Sequence, residues 1–326
     1  AKIYIYIDGS SRSAAQEMTV PGIKIEDIAF VGFRAPDLGR MRSFMEDFGA
    51  IVVQQDDERL FMRGTSDAPF LHMTERGDAG FTMVGFRAES RADLDTLAAE
   101  EGLETQTFDG PGGGRFIDLH DPDGHVVRVI AGQTPSAPVA YNASASWNFA
   151  SNKPRLSQNR RTEEGPAKIV RLGHCVLNVS DFRASEAWYK ALFGFITSDE
   201  IEVAPDIAVG AFLRCDRGDT PTDHHTLFLL QAPTGAGFNH AAFEVRDIED
   251  LMSGHARLLG QNHEPAWGVG RHFLGSQVFD YWRDPWGHTL EHWTDGDLFK
   301  ASDGSNKATI QELMGVQWGP AIPEHF

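Results

Sequence analysis

Two stretches of this chain share one frame. DPDGHVVRVI occupies residues 121–130, and DPWGHTLEHW occupies 284–293. Two more pairs keep the same order: AFVGFRAPD (29–37) with GHCVLNVSD (173–181), and GFTMVGFRAES (80–90) with GFNHAAFEVRD (237–247). Three landmarks recurring in register restrict the chain to a duplicated fold, each copy built from the same supersecondary units. At 326 residues there is room for two domains of ordinary size.

The landmarks carry their own local grammar. In GHCVLNVSD, His174, Val176 and Asn178 alternate with Cys175, Leu177 and Val179, the period of a strand. Ser180 or Asp181 then caps a helix, FRASEAWYKALF, stopped at Gly194. Ala184, Ala187, Trp188, Ala191 and Leu192 mark its apolar face. AAFEV repeats the strand. IEDLMSGHARLLG repeats the helix, with Ile248, Leu251, Met252 and Leu259 on one side and a stop at Gly260. Strand-like segments with turn signals follow each helix, and 33 glycines fit a turn-rich fold. The expected fold class is therefore α+β: four βαβββ modules paired into two domains, each an open β-barrel-like sheet with helices outside. The expected boundaries are an N-terminal extension (1–25), a first domain (26–132), an irregular Pro/Ser/Asn/Ala-rich linker (133–167), a second domain (168–295) and a tail (296–326).

The formal charge of −18 argues against nucleic acid or an anionic membrane as partner, since both need clustered Lys and Arg. No apolar run approaches the roughly 20 residues needed to cross a bilayer. The N-terminal AKIYIYIDGSSRSAAQ lacks the basic-then-apolar plan of a signal peptide, so a cytoplasmic enzyme is expected. Cys175 and Cys215 read as buried small hydrophobes rather than a disulfide framework.

The two copies differ where chemistry can sit. The second copy carries His174, His240 and Glu291 at the repeat-equivalent positions where the first carries Phe30, Met83 and Arg128. Two imidazoles and a carboxylate suit Fe(II) with open coordination positions, and also Mn(II), whereas an arginine would repel a dication. Strand parity puts His174 with Val176, His240 with Ala242, and Glu291 with Thr289 and Trp293 on faces away from the helices. His288 and His292 should point the other way. A lone histidine on an apolar strand is usually a hydrogen-bonded core residue. Three ligand-type residues at three equivalent positions, all missing from the sister copy, favour a metal.

These residues, in GHCVL, FNHAAFEV and GRHFLGSQVFDYWRDPWGHTLEHW, give a second half that resembles the extradiol (type I ring-cleaving) catechol dioxygenases of the vicinal oxygen chelate superfamily. The resemblance covers the whole two-domain plan, including a metal-free first domain and a tail with a W-G-P motif. It implies a metal held by His174, His240 and Glu291, usually Fe(II), with Mn(II) open. It also implies a catechol-type aromatic diol and O2 as substrates, and a homo-oligomer.

Further roles follow from the same resemblance. His225 lies fifteen residues before His240, at the spacing of the family's acid/base histidine. A histidine of pKa about 6.5 suits proton transfer at neutral pH. His272 and Tyr281, nineteen and ten residues before Glu291, match positions that orient substrate. Phe212 and Phe273, with Val176, are the expected substrate-binding wall. Trp267, Phe279, Trp282 and Trp286 are further aromatics near the site, most of them expected in ordinary core. His224, His263 and His288 read as structural or solvated. Leu274 and Gly275 stand where some relatives carry Asn and Asp, which leaves the particular diol open. Competing readings are another metal-dependent enzyme of the superfamily (a glyoxalase-like isomerase or thiol transferase) and a non-catalytic small-molecule-binding protein. The tail from 310 is expected to cover the second-domain cavity.

Overall fold

The computed structural model describes residues 22–141 and 146–324; most of the expected N-terminal extension lies outside them. The first copy runs β1 (Ile25–Ala35), α1 (Leu38–Phe48), β2 (Ile51–Gln55), β3 (Arg59–Arg63) and β4 (His72–Arg76), then β5 (Gly80–Ala88), α2 (Arg91–Glu100), β6 (Gln106–Thr107), β7 (Arg115–His120) and β8 (Val126–Ala131). The second runs β9 (Ile169–Val179), α3 (Phe182–Phe193), β10 (Ile196–Ala204), β11 (Ile207–Arg214), β12 (Thr222–Asp223) and β13 (Leu227–Gln231). It continues through β14 (Gly237–Val245), α4 (Ile248–Gly260), β15 (Glu264–His272), β16 (Val278–Arg283) and β17 (Thr289–Thr294). The tail forms β18 (Leu298–Phe299), β19 (Asn306–Thr309), α5 (Ile310–Leu313) and β20 (Val316–Trp318).

Each module is one βαβββ unit, and each pair joins identically. The first sheet is ordered β2-β3-β4-β1-β5-β8-β7-β6. The second is β10-β11-β13-β9-β14-β17-β16-β15, with β19 and β20 added at its two edges and β12 paired to β18. In both, the first strand of a module lies parallel to its last, and the two modules meet through an antiparallel pair, β1 with β5 and β9 with β14.

The helices cover one face of each sheet, and the two covered faces share a core. Phe33, Phe44, Phe48 and Phe86 of the first copy pack in one cluster with Leu177, Phe193, Phe243 and Trp282 of the second. Arg257 and His263 also hold Asp47 across this boundary, and the Tyr189 hydroxyl donates to Asp121 Oδ2 at 3.1 Å. The helix faces differ from those expected. On α3 the buried residues are Phe182, Ser185, Glu186, Tyr189 and Phe193, while Ala184, Ala187 and Ala191 are exposed. On α4 Leu251 and Leu258 are buried, while Met252 and Leu259 are half-exposed. Large rings bury far more apolar area than alanines, so Phe182, Tyr189 and Phe193 set the orientation of α3. Asp181 caps α3 and Gly194 ends it in the left-handed conformation.

The repeated D-P-x-G-H frame is a turn. Asp121 Oδ1 accepts from the Asp123 and His125 amides, and its Oδ2 from His125 Nδ1. Asp284 makes the same set with Trp286 and His288. Gly124 (φ 83°) and Gly287 (φ 89°) supply the left-handed residue each turn needs.

Two predictions concern the shared core. Gly49 ends α1 at φ 107°, and a Cβ there would stand 2.1 Å from the Ala167 carbonyl oxygen. Gly49→Ala should cost about 1–3 kcal/mol in denaturant unfolding, and an unchanged midpoint would contradict this contact. His72 and His292 are buried, and burial pushes both down to about 4. His292 stacks on Phe48 at 3.8 Å and donates Nε2–H to its carbonyl. Both stay neutral in the fold while the unfolded chain takes up protons near pH 6.5. Stability should therefore be complete above pH 6.5 and fall as pH drops toward 4, by at most about 3 kcal/mol each. Unfolding free energies measured across that window test the sign.

Candidate metal centre

The register of three adjacent strands assembles the centre. Ala242 on β14 lies opposite His174 on β9 and opposite Glu291 on β17. Side chains at directly paired positions share a face, so His174 and Glu291 rise on either side of a methyl group too small to separate them. His240 is two residues before Ala242 and therefore on that same face. Tyr281 on β16 pairs with Glu291, which places it inward as well.

The three candidate ligands converge. His174, His240 and Glu291 each offer a donor atom within 4.8 Å of the others. Glu291 Oε2 is 3.3 Å from both His174 Nε2 and His240 Nε2, and Oε1 is 3.7 Å from His272 Nε2. Glu291 is fully buried, and neither carboxylate oxygen finds a hydrogen bond of sound geometry. A buried carboxylate left this way is costly without a cation. Burial alone would raise its pKa, but the surrounding imidazoles hold it well below the usual carboxylate range. Burial lowers His174. Neutral imidazole beside ionised carboxylate is the protonation pattern that metal binding requires. His240 Nδ1 donates to Asn239 Oδ1 at 2.8 Å, and Asn239 in turn donates to Asn178, which leaves Nε2 as the ligand atom. The residues present therefore fit a divalent metal.

The other expected residues fall unevenly around this cluster. The His225 ring lies 4.0 Å from that of His174, centroid to centroid, and burial pushes its pKa well down. His272 Nε2 is 2.8 Å from the Tyr281 hydroxyl, and burial raises the Tyr281 pKa far above its ordinary value. Val176, Phe212 and Phe228 form an apolar wall beside the histidines, on paired positions of β9, β11 and β13. Phe212 stacks on Phe228 at 4.0 Å and stands 4.7 Å from His225. Phe273 is half-exposed on the turn after β15 and outside this wall, whereas the neighbouring Leu274 packs against it. Trp267 and Phe279 cluster with Tyr281; Trp282 and Trp286 belong to the helix-side core. His224 is buried between Asp199 and His225. His292, as expected, points to the opposite face, while His288 and His263 hold Asp284 and Asp47. Asn239, Phe228 and Asp199 carried no distinguishing signal in sequence.

The tail bridges the sheet's two edges. Ala308, Ile310 and Leu313 pack on the Val176–Phe212 wall, and Val316 and Ile322 on the Tyr281 side. Gln317 donates to the His272 carbonyl and Trp267 to that of Pro320.

The first copy shows the same register without ligands. Phe30 and Arg128 flank Gly85, as His174 and Glu291 flank Ala242. The Phe30 ring fills the space over Gly85, with carbons 2.3–2.8 Å from where a Cβ would stand. Met83, Phe61, Phe70 and Phe108 pack around it. Arg128 pairs with Asp118 and lies 3.9 Å over Phe116.

Residues 171–292 match the Glyoxalase/Bleomycin resistance protein/Dioxygenase superfamily. The chain is 26% identical to metapyrocatechase 2 of Cupriavidus necator, covering 98% of this chain and 96% of that protein. It is 25% identical to an iron-dependent extradiol dioxygenase of Rhodococcus jostii, over 90% and 88% of the two chains. Among solved structures, homoprotocatechuate 2,3-dioxygenase from Brevibacterium fuscum shares the fold at a TM-score of 0.76 and 18% identity, covering 93% and 92%. A Mn(II)-bound glyoxalase from Novosphingobium aromaticivorans does so at 0.74 and 22%, covering 93% and 94%. Residues 171–292 thus match the glyoxalase/bleomycin resistance protein/dioxygenase superfamily, and nearly the whole chain is similar to proteins named metapyrocatechase 2 and iron-dependent extradiol dioxygenase.

Proposed function

We propose that this protein is an extradiol dioxygenase, opening the ring of a catechol-type diol beside its two hydroxyls with O2, at an Fe(II) held by His174, His240 and Glu291. One observation carries the reading: a fully buried carboxylate without a hydrogen bond of sound geometry, closed in by imidazoles and flanked by two proton-handling groups, His225 and Tyr281. A bound Fe(II) would supply a Lewis-acidic, redox-active centre for the diol and dioxygen.

The chain's own residues do the rest. His225, neutral in its buried site, accepts a proton from a substrate hydroxyl and returns it as the ring opens. Tyr281 stays protonated, so its hydroxyl and His272 form a hydrogen-bonded pair that orients the diol. Val176 and Phe212 offer a flat apolar wall for the aromatic ring. The tail keeps bulk water from this face. The ring-opened product is a semialdehyde or keto acid.

Anaerobic loading with Fe(II), then oxygen and a panel of catechols, should give a yellow ring-fission product with equimolar O2 uptake. Silence from every catechol sinks the proposal. Chelation should abolish turnover, and comparing Fe(II) with Mn(II) in restoring it identifies the working metal. Glu291→Gln should lose most bound metal by elemental analysis. His225→Gln should keep the metal and lose about 10²–10⁴-fold in kcat. Truncation after Thr309 should raise KM, and unchanged kinetics would limit the tail to a structural role.

A further inference from the structure

Behind His225 lies a chain of groups that the proposed chemistry does not itself use. Asp199 on β10 is buried, and its Oδ2 lies 2.6 Å from His224 Nε2. His224 Nδ1 lies 3.0 Å from His225 Nδ1. The bend that presents both rings is pinned from several sides. Ser198 Oγ donates to the His224 carbonyl, Arg214 donates to Ser198 Oγ and to the Thr197 carbonyl, and the His224 amide donates to the Asp297 carbonyl. Both rings are almost wholly buried.

With Asp199 as the acceptor and His224 neutral, this geometry leaves one arrangement of the protons. An ionised carboxylate can only accept, so His224 Nε2 carries hydrogen. In neutral His224 the Nδ1 is then a bare acceptor. Two Nδ1 atoms 3.0 Å apart can share only one hydrogen, so it belongs to His225. The lone pair of neutral His225 is therefore left on Nε2. We infer that Asp199 and His224 are positioning residues that hold His225 in its Nδ1–H tautomer, leaving Nε2 as the atom that takes the substrate's proton. This rests on the proton-transfer role proposed for His225. In that step the substrate O–H bond breaks and a His225 Nε2–H bond forms, with no change in electron count. The Nδ1 proton stays in place, and the carboxylate at the far end of the chain favours the resulting imidazolium. The arrangement resembles a base oriented by a second group, although here the orienting link is a second imidazole.

The test is spectroscopic. In ¹⁵N-labelled protein loaded with diamagnetic Zn(II), long-range ¹H–¹⁵N correlations distinguish the two tautomers, with His225 assigned from its loss in His225→Gln. The wild-type protein should show hydrogen on Nδ1 and an unprotonated Nε2. Hydrogen on Nε2 would overturn the inference. His224→Phe removes the acceptor and should erase the preference for Nδ1–H. In the Fe(II) enzyme it should lower kcat about tenfold or more with KM little changed, and should cost nothing further when added to His225→Gln. An additive loss in that double variant would show that His224 acts independently of His225. If the tautomer is as stated but no catechol is cleaved, the proposed function fails and the assignment stands. Ring cleavage with hydrogen on Nε2 would leave the function standing and overturn the assignment.

Discussion

The pairing of Ala242 with His174 on one side and Glu291 on the other is the constraint on which the rest of the molecule depends. Strand neighbours about 5 Å apart on one face can bring short side chains together only if the residue between them is small. Ala242 meets that condition. A one-residue slip in either pairing would send a ligand to the helix side, where Leu177, Phe243 and Trp282 are packed. The His174–His240–Glu291 cluster therefore depends on the same register that the shared hydrophobic core enforces from the other face.

The duplicated architecture explains how one sheet can carry a candidate metal site that its twin lacks. Both copies use the same strand order and the same Asp-anchored turn before their last strand. In the first, the equivalent inner face is filled by Phe30, Met83 and surrounding rings, and Arg128 is neutralised by Asp118. That face contributes packing. In the second, the inner face keeps polar groups in a dry setting, where the Glu291 carboxylate sits among imidazoles and burial lowers the His174 pKa.

Much of this was legible from residues alone because strand parity is a local property. His174 with Val176, His240 with Ala242, and the outward turn of His292 all follow from a period of two. Helix faces were less legible. Counting alanines as apolar placed the wrong side of α3 against the core, since Phe182, Tyr189 and Phe193 bury more area than several small residues. Phe273 illustrates a similar limit: an aromatic near a histidine in sequence stands on an exposed turn, while the less conspicuous Leu274 joins the wall.

The sequence by itself determined the duplication, the βαβββ modules, the candidate ligand set and the absence of that set from the first copy, because each is written in short segments with a fixed period. Tertiary structure decided what depends on strands meeting from distant parts of the chain. It brought Tyr281 opposite Glu291, laid the tail across both edges of the second sheet, and joined the two helix layers in one core. It also bent residues 224–226 out of strand geometry, so that His225 reaches His174 and His224 reaches Asp199. No periodicity predicts that bend, since hydrogen bonds from Ser198 and to Asp297 hold it, and those partners lie about 26 and 73 residues away in the chain.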